Sequence, residues 1–266
     1  MEETEHKYVQ VNGLKIHFAE IGSESSPVVV FLHGFPEIWY SWRHQMIGVA
    51  KAGFKAIASD YRGYGLSDPP PQPEKATFAD FISDLNALLD ALAIPKVFLV
   101  GPPAFLEHLP EGFYISRWLE PGRAEADFGR LDSKTVVRNI YILFARSEIP
   151  IANENQEIMD MVDSSTPLPS WIPEEDLVAY GSLYKIRTIN EEFNIANLKV
   201  EALLIMGTKD YVLKFPGMED YIKNGHAKLF VPKLETTYLP EGSHFVQEQF
   251  PHQVSQLILN FLINHR

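Results

Sequence analysis

The sequence predicts an α/β protein: a mostly parallel, doubly wound sheet, with a helical cap inserted between its two halves. Three observations carry this. Apolar runs ending in glycine ("PVVVFLHG", "KVFLVG", "ALLIMG") suit parallel strands covered on both faces. Segments of helical period alternate with them, as in βαβ units. From about residue 102 to 200 the strand-like runs vanish, and aromatic, acidic and helical segments take their place.

"YVQVNGLKIHFAEIG" alternates apolar and polar residues on both sides of Asn12-Gly13. That is a hairpin signal, because both central positions of a type I′ turn need positive φ. "PVVVFLHG" follows as a buried strand. "EIWYSWRHQMIGVAKAG" has helical spacing at Trp42, Met46 and Val49, with Gly53 as a C-terminal cap, and "FKAIASD" reads as the next strand. Thr77 and Asp80 form a capping-box pattern at the head of a helix. Phe78, Phe81, Ile82, Leu85, Leu89 and Leu92 are expected to form its apolar stripe. "KVFLVG" is expected as the third buried strand. "TVVRNIYILFA" and "PEEDLVAYGSLY" read as helices of the insert. "ALLIMGTKD" and "TTYLPEGSH" return to the strand pattern, and "QVSQLILNFLINH" closes the chain as an amphipathic helix. The expected division is a first core half over 1–101, a helical cap over 102–199 and a second core half over 200–266.

The 266 residues allow one sizeable core with an insert. At 45% hydrophobic and 22% charged residues, the composition is that of a soluble globular protein. A net charge of −12 argues against a nucleic-acid or anionic-membrane partner. The absence of cysteine excludes disulfides, thiolate metal sites and a cysteine nucleophile. The acidic, polar start "MEETEHKYVQ" is not a secretory signal, and no apolar run approaches the ~20 residues of a membrane span. A cytoplasmic protein, monomeric or homodimeric, without metal or cofactor, is the expectation.

Three loops carry candidate chemistry. "HGFPE" follows a buried strand, and a backbone N–H in His33, Gly34, Phe35 or Pro36's loop can point at a developing oxyanion; Pro36 stiffens the loop and suits a cis bond. Alone, the motif also reads as an ordinary strand-to-helix turn. "MGTKD" places Asp210 just past a strand end, and "EGSHF" places His244 in the loop after the following strand. The carboxyl edge of such a sheet is where ligands and catalytic groups gather. A carboxylate held near an imidazole fixes its tautomer and raises its basicity, so the pair can activate water. Singly, each also reads as a surface aspartate or a capping histidine.

"HGFPEIWYSWRHQM", "DYRGYGLSD", "LLIMGTKDYV" and "EGSHFVQEQFP" together resemble the soluble epoxide hydrolases of the α/β-hydrolase superfamily, particularly the plant type. The resemblance spans nearly the whole chain. It implies hydrolysis of an epoxide to a vicinal diol: an aspartate opens the ring as an ester, and a histidine–aspartate pair activates the water that cleaves it. It further implies His244 as the water-activating base, Asp210 as its orienting partner, Phe35 as an oxyanion-hole donor and Tyr114, in "GFYISRW", as the first of two cap tyrosines holding the epoxide oxygen. Beside Phe113 and Trp118, Tyr114 also reads as an aromatic of the cap core. The implied ligand is a small apolar epoxide or a lipid-like molecule.

The chain departs from the family pattern at the nucleophile. The superfamily's third strand leads into a G-x-nucleophile-x-G elbow. Neither G-x-D-x-G nor G-x-S-x-G occurs anywhere in this chain, and the strand runs instead into "LVGPPAFLEH". Pro102 and Pro103 have no backbone N–H to donate. No nucleophile can therefore be assigned, and the Gly101–Pro102 bond reads as a deletion junction lacking the elbow helix and one strand, roughly 25–35 residues by typical element lengths. A second junction is expected near "SLYKIRTINEEF", where Tyr184 and Ile186 compete for the position of the second tyrosine. Glu107, Glu111 and Asp127 read as solvated carboxylates, and Asp60 and Asp68 as braces of the "DYRGYGLSD" turns. The expected sheet either pairs "KVFLVG" directly with "ALLIMG" or has a gap with an exposed edge. The functional readings are an impaired or inactive epoxide hydrolase, or a non-catalytic ligand-binding or interaction protein on the same scaffold. A haloalkane dehalogenase would need the same missing aspartate.

Overall fold

A computed structural model of the chain describes residues 4–102, 113–118, 120, 122–184 and 200–266. β1 (Glu5–Val11) and β2 (Leu14–Ile21) form the expected hairpin, with Asn12 at φ 49° and Gly13 at φ 78° in its turn. The described strands then run β3 (Val28–Leu32), β4 (Lys55–Ser59) and β5 (Val97–Val100), in a five-stranded sheet of order β1-β2-β4-β3-β5. β4–β3–β5 are parallel, and the hairpin joins them antiparallel through β2. β6 (Ala202–Gly207) and β7 (Leu234–Leu239) pair in parallel as a second sheet.

Strand alternation sorts the first sheet's side chains onto two faces. Phe18, Val30 and Ile57 pack with Leu88 of α2 (Phe78–Ala91) on one side. Ala19, Val29, Phe31, Ala56 and Ala58 enter the main core on the other. That core also takes Met46 and Val49 of α1 (Arg43–Lys51). The expected capping box forms at Thr77–Asp80. The α2 stripe is rotated from expectation. Ile82 is 58% exposed, while Phe81 and Leu88 are buried. Ile82 lies one residue, about 100° of helix, beyond Phe81. The buried face instead carries Asp84, held by Arg62 and Asn12.

The expectation of a third buried strand is also corrected. Among the described residues β5 pairs only with β3, none of its residues is fully buried, and Leu99 is 57% exposed. β5 and β6 belong to separate sheets, so of the two arrangements the sequence allowed, the structure has the gap.

Among the described residues, four α-helices fall between β5 and β6 in the chain: α3 (Tyr114–Trp118), α4 (Arg123–Phe128), α5 (Ser133–Phe144) and α6 (Glu174–Leu183). α7 (Met218–Lys223) lies between β6 and β7; α8 (Val246–Gln249) and α9 (Pro251–Asn264) follow, and α9 packs on α1. A buried polar cluster ties α6 to the core. Arg43 donates to Glu248 at 2.9 Å and to Asp176 at 2.5 Å; the hydroxyls of Tyr40 and Tyr180 donate to Asp176 and Glu248. Removing Arg43 would leave two uncompensated carboxylates in a largely dry site, a change that typically costs about 3–5 kcal/mol. Asp127, expected in solvent, is fully buried: it accepts from Trp118 Nε1 and Met159 N and pairs with Arg130. Among the described residues no helix is long and apolar enough to cross a membrane.

Candidate active site

The loops after β6 and β7 cross in contact. A Cβ on Gly207 would fall 2.1 Å from the Gly242 carbonyl oxygen, and one on Gly242 2.8 Å from Gly207 Cα. Only glycine permits this approach. Lys209 N donates to Gly242 O at 2.8 Å and Thr208 N to Leu239 O at 3.0 Å, fixing one loop on the other. Asp210 and His244 are thereby brought together, with His244 Nδ1 at 3.1 and 3.2 Å from the two carboxylate oxygens of Asp210. Asp210 is itself set by the Val212 N–H, and the His244 loop by Ser243 N and Oγ donating to Gln249 Oε1.

With Nδ1 donating to the carboxylate, Nε2 is the basic nitrogen. Burial disfavours the imidazolium, but the Asp210 charge and hydrogen bond, with a further contribution from Glu37, outweigh it and hold His244 above its usual pKa. The His244 side chain remains 32% exposed, so water can reach it. Its ring lies 4.9 Å from Tyr211 and edge-on to Phe144 at 5.9 Å.

The "HGFP" loop approaches from the first sheet. His33 is buried and donates from Nδ1 to Gly34 O at 2.8 Å while Nε2 accepts the Tyr61 N–H at 3.2 Å. Burial lowers its pKa, so it serves as a neutral brace of the loop. The Phe35–Pro36 bond is cis. Among the described residues the Phe35 N–H has no acceptor, whereas the Gly34 N–H is taken by Glu37 Oε2 at 3.0 Å. The Phe35 ring meets Tyr114 at 6.5 Å, Trp118 at 5.6 Å and Tyr184 at 6.4 Å.

Tyr114 is placed at the site as well as in an aromatic cluster. Burial and the neighbouring Tyr114 push the Tyr211 hydroxyl well above its usual pKa, and the Tyr114 ring packs on Phe144 at 4.6 Å. Tyr184 is buried between Phe35 and Tyr64, and its hydroxyl finds no partner among the described residues. Ile186 lies outside the described residues, as do the rest of the second junction after Tyr184, Pro103, Glu107 and Glu111. Gly101 and Pro102 are described. Pro102 Cγ lies 3.6 Å from where a Gly34 Cβ would stand, so the end of β5 abuts the "HGFP" loop with a proline.

Two site residues escaped the sequence reading. Glu37 is buried behind the loop. Burial and the neighbouring Glu248 charge push its carboxyl up to about 7, against the opposing Gly34 N–H. It also accepts from Gln247 at 2.6 Å, which links it to the His244 side of the site. Its place in "HGFPE", three residues after Gly34, was the available signal. Tyr211 was visible only as the aromatic directly after Asp210. A polar cleft of about 410 Å³, lined by Lys209, Glu241, Ser243, Gln249 and Arg146 among others, lies beside the pair. Among the described residues, no cluster of three or more His, Asp or Glu is arranged to hold a metal ion.

Residues 27–101 match the family described as alpha/beta hydrolase fold. The chain is 33% identical to "Epoxide hydrolase 2" of Siraitia grosvenorii, over 98% of this chain and 99% of that protein. The crystal structure of epoxide hydrolase VrEH1 from Vigna radiata superposes with a TM-score of 0.85 at 32% identity, covering 99% of both chains. A laboratory-evolved variant of potato epoxide hydrolase StEH1 gives 0.82 at 30% identity, covering 98% of this chain and 99% of that one. The Siraitia alignment runs over 317 positions against the 266 residues of this chain, so at least 51 positions face no residue here. With the paired loops after β6 and β7 and the "HGFP" loop on this scaffold, the chain belongs to the plant-type epoxide hydrolases of the α/β-hydrolase superfamily.

Proposed function

We propose that this chain carries the water-activating half of an epoxide-hydrolase site without the ester-forming half, so that it converts epoxides to vicinal diols far more slowly than its relatives. The observation that carries this is the contrast between the hydrogen-bonded Asp210–His244 pair and the absence of any G-x-D-x-G or G-x-S-x-G in the sequence. His244 is the base, Asp210 its orienting partner, Phe35 N–H an oxyanion donor and Tyr114 a donor to the epoxide oxygen. The helices between the two sheets act as a cap over a small apolar epoxide. The Gly101–Pro102 bond is the junction at which the elbow is lost, in keeping with the unmatched alignment positions. Catalytic groups that act as a unit lose most of their effect when the nucleophile goes, on the order of 10⁶-fold in a well-studied triad.

A second reading is a non-catalytic binder of apolar ligands, favoured by the same missing elbow and by the aromatic surround of Phe35, Tyr114 and Trp118. Diol release from an aryl epoxide, measured beside the Vigna radiata enzyme, tests the first reading. A rate at least about 10³-fold lower is expected from the loss of the nucleophile. A rate within tenfold of that enzyme would defeat it, and ligand binding with no diol above buffer would favour the second.

A further inference from the structure

We propose that the epoxide hydrolysis remaining in this chain proceeds in one step, by attack of a His244-activated water on the epoxide carbon, with no enzyme-bound ester. The inference rests on the reading above and assigns that residual activity its mechanism.

Among the described residues, the buried carboxylates that could have replaced the missing nucleophile are already engaged. Asp60 is held by His17 and the N–H groups of Trp39 and Leu66. Asp84 is held by Arg62, Asp127 by Trp118 and Arg130, and Glu248 by Arg43 and Tyr180. Glu37 accepts on one oxygen from Gly34 N and on the other from Gln247. A carboxylate whose lone pairs are taken by protein donors is a poor nucleophile, and moving it would strip a buried acceptor of its bonds. The end of β5, where the family's nucleophile belongs, presents the Pro102 ring to the oxyanion loop.

The base needs no such partner. Asp210 occupies His244 Nδ1 with both oxygens, which leaves Nε2 as an acceptor on a side chain one-third exposed to water. Within the same cluster, the Tyr211 ring lies tilted 4.9 Å from the imidazole, and Phe144 packs against Tyr114, Tyr211 and His244 alike. The step then balances. The water oxygen bonds to the epoxide carbon as that carbon–oxygen ring bond breaks. The water proton passes to His244 Nε2, and the ring oxygen takes the Tyr114 proton. The imidazolium returns its proton to the tyrosinate through solvent, and one diol has formed from one epoxide and one water. Positioned general-base catalysis of this kind contributes about 10²–10⁴-fold.

The oxygen's origin tests the inference. The unmodified chain, in excess over styrene oxide in H₂¹⁸O, is quenched within a single turnover and the diol is read by mass spectrometry. The expected result is ¹⁸O in the first-turnover diol, formed at least about 10²-fold faster than in buffer and lost in His244→Gln. Because the isotope result comes from the unmodified chain, a poorly folding variant does not blunt it. Unlabelled first-turnover diol would overturn the inference, since a protein carboxylate would then have supplied the oxygen. Diol formation no faster than in buffer would also overturn it and would favour the non-catalytic binder instead. Unlabelled diol at a relative's rate would overturn both.

Discussion

The loops after β6 and β7 and the end of β5 occupy the carboxyl edges of two sheets, yet they hold unequal chemistry. The first region keeps the hydrogen-bonded Asp210–His244 pair and the glycine contact that sets it together. The second ends in Gly101–Pro102, with no side chain able to attack an epoxide. The difference teaches that the Asp210–His244 pair is locally specified. It depends on Gly207 meeting Gly242 and on backbone bonds between two adjacent loops, so it forms even where the sheet is interrupted between β5 and β6.

The largest expected effect breaks the chemistry of the intact region. In Asp210→Asn the amide no longer provides a charge or demands the Nδ1–H tautomer, so Nε2 ceases to be the base. Diol release should fall to the buffer rate, a loss on the order of 10²–10⁴-fold, with the thermal midpoint little changed. Steady-state assays with melting curves check this. Retained turnover would show that the pair is not the source of the activity.

Gly207→Ala attacks the geometry instead. The added Cβ meets the Gly242 carbonyl at 2.1 Å and the Ser243 carbonyl at 2.6 Å, both backbone atoms that cannot swing aside. A cost of roughly 3 kcal/mol is expected, at the upper end of overpacking effects. Because the loops are forced apart, activity should fall with stability. Urea unfolding and diol assays on the same preparation test it, and a variant as stable as the parent would refute local specification.

Glu37→Gln sharpens the comparison through pH. The folded-state pKa of about 7 lies above the ordinary 4.5, so the unfolded chain gives up this proton more readily than the folded one. The stabilisation linked to protonated Glu37 is full below about pH 4.5 and is lost as pH rises to about 7. Glutamine stays neutral, still accepts from Gly34 N, and meets Gln247 once that amide turns over. Relative to the parent, the variant should gain stability between pH 4.5 and pH 8, by at most roughly 3 kcal/mol. Denaturation curves at both pH values measure the gain, and parallel pH dependence of the two proteins would contradict it.

What could be read from the sequence follows the range of the interactions involved. The Asn12-Gly13 turn, the Thr77–Asp80 capping box and the strand-end positions of Asp210 and His244 are set within a few residues, and each was visible there. Glu37 was passed over because its Gln247 partner lies 210 residues away. Asp127 reads as solvated because most carboxylates are, yet Trp118 and Met159 bring donors to it across the helical segment. The departure from the family pattern was legible, because it is a missing motif. The burial of β5 was not, because an apolar run records what a strand can pack against and not whether a neighbour is present.

β3 and β5 make that last point measurable. "VVVFL" and "VFLV" are near-identical in composition and are hydrogen-bonded neighbours, but Val29, Val30 and Phe31 are fully buried while Leu99 is 57% exposed. Phe31→Ala should cost about 3–5 kcal/mol, from lost transfer energy and the cavity left behind. Leu99→Ser removes a side chain of similar hydrophobicity from a position already in water, and should change stability by no more than about 0.5 kcal/mol. Chemical denaturation of the pair of variants reads the contrast directly. If Leu99→Ser instead cost several kcal/mol, β5 would be covered in solution as an interior strand is, and the gap between the two sheets would have to be filled.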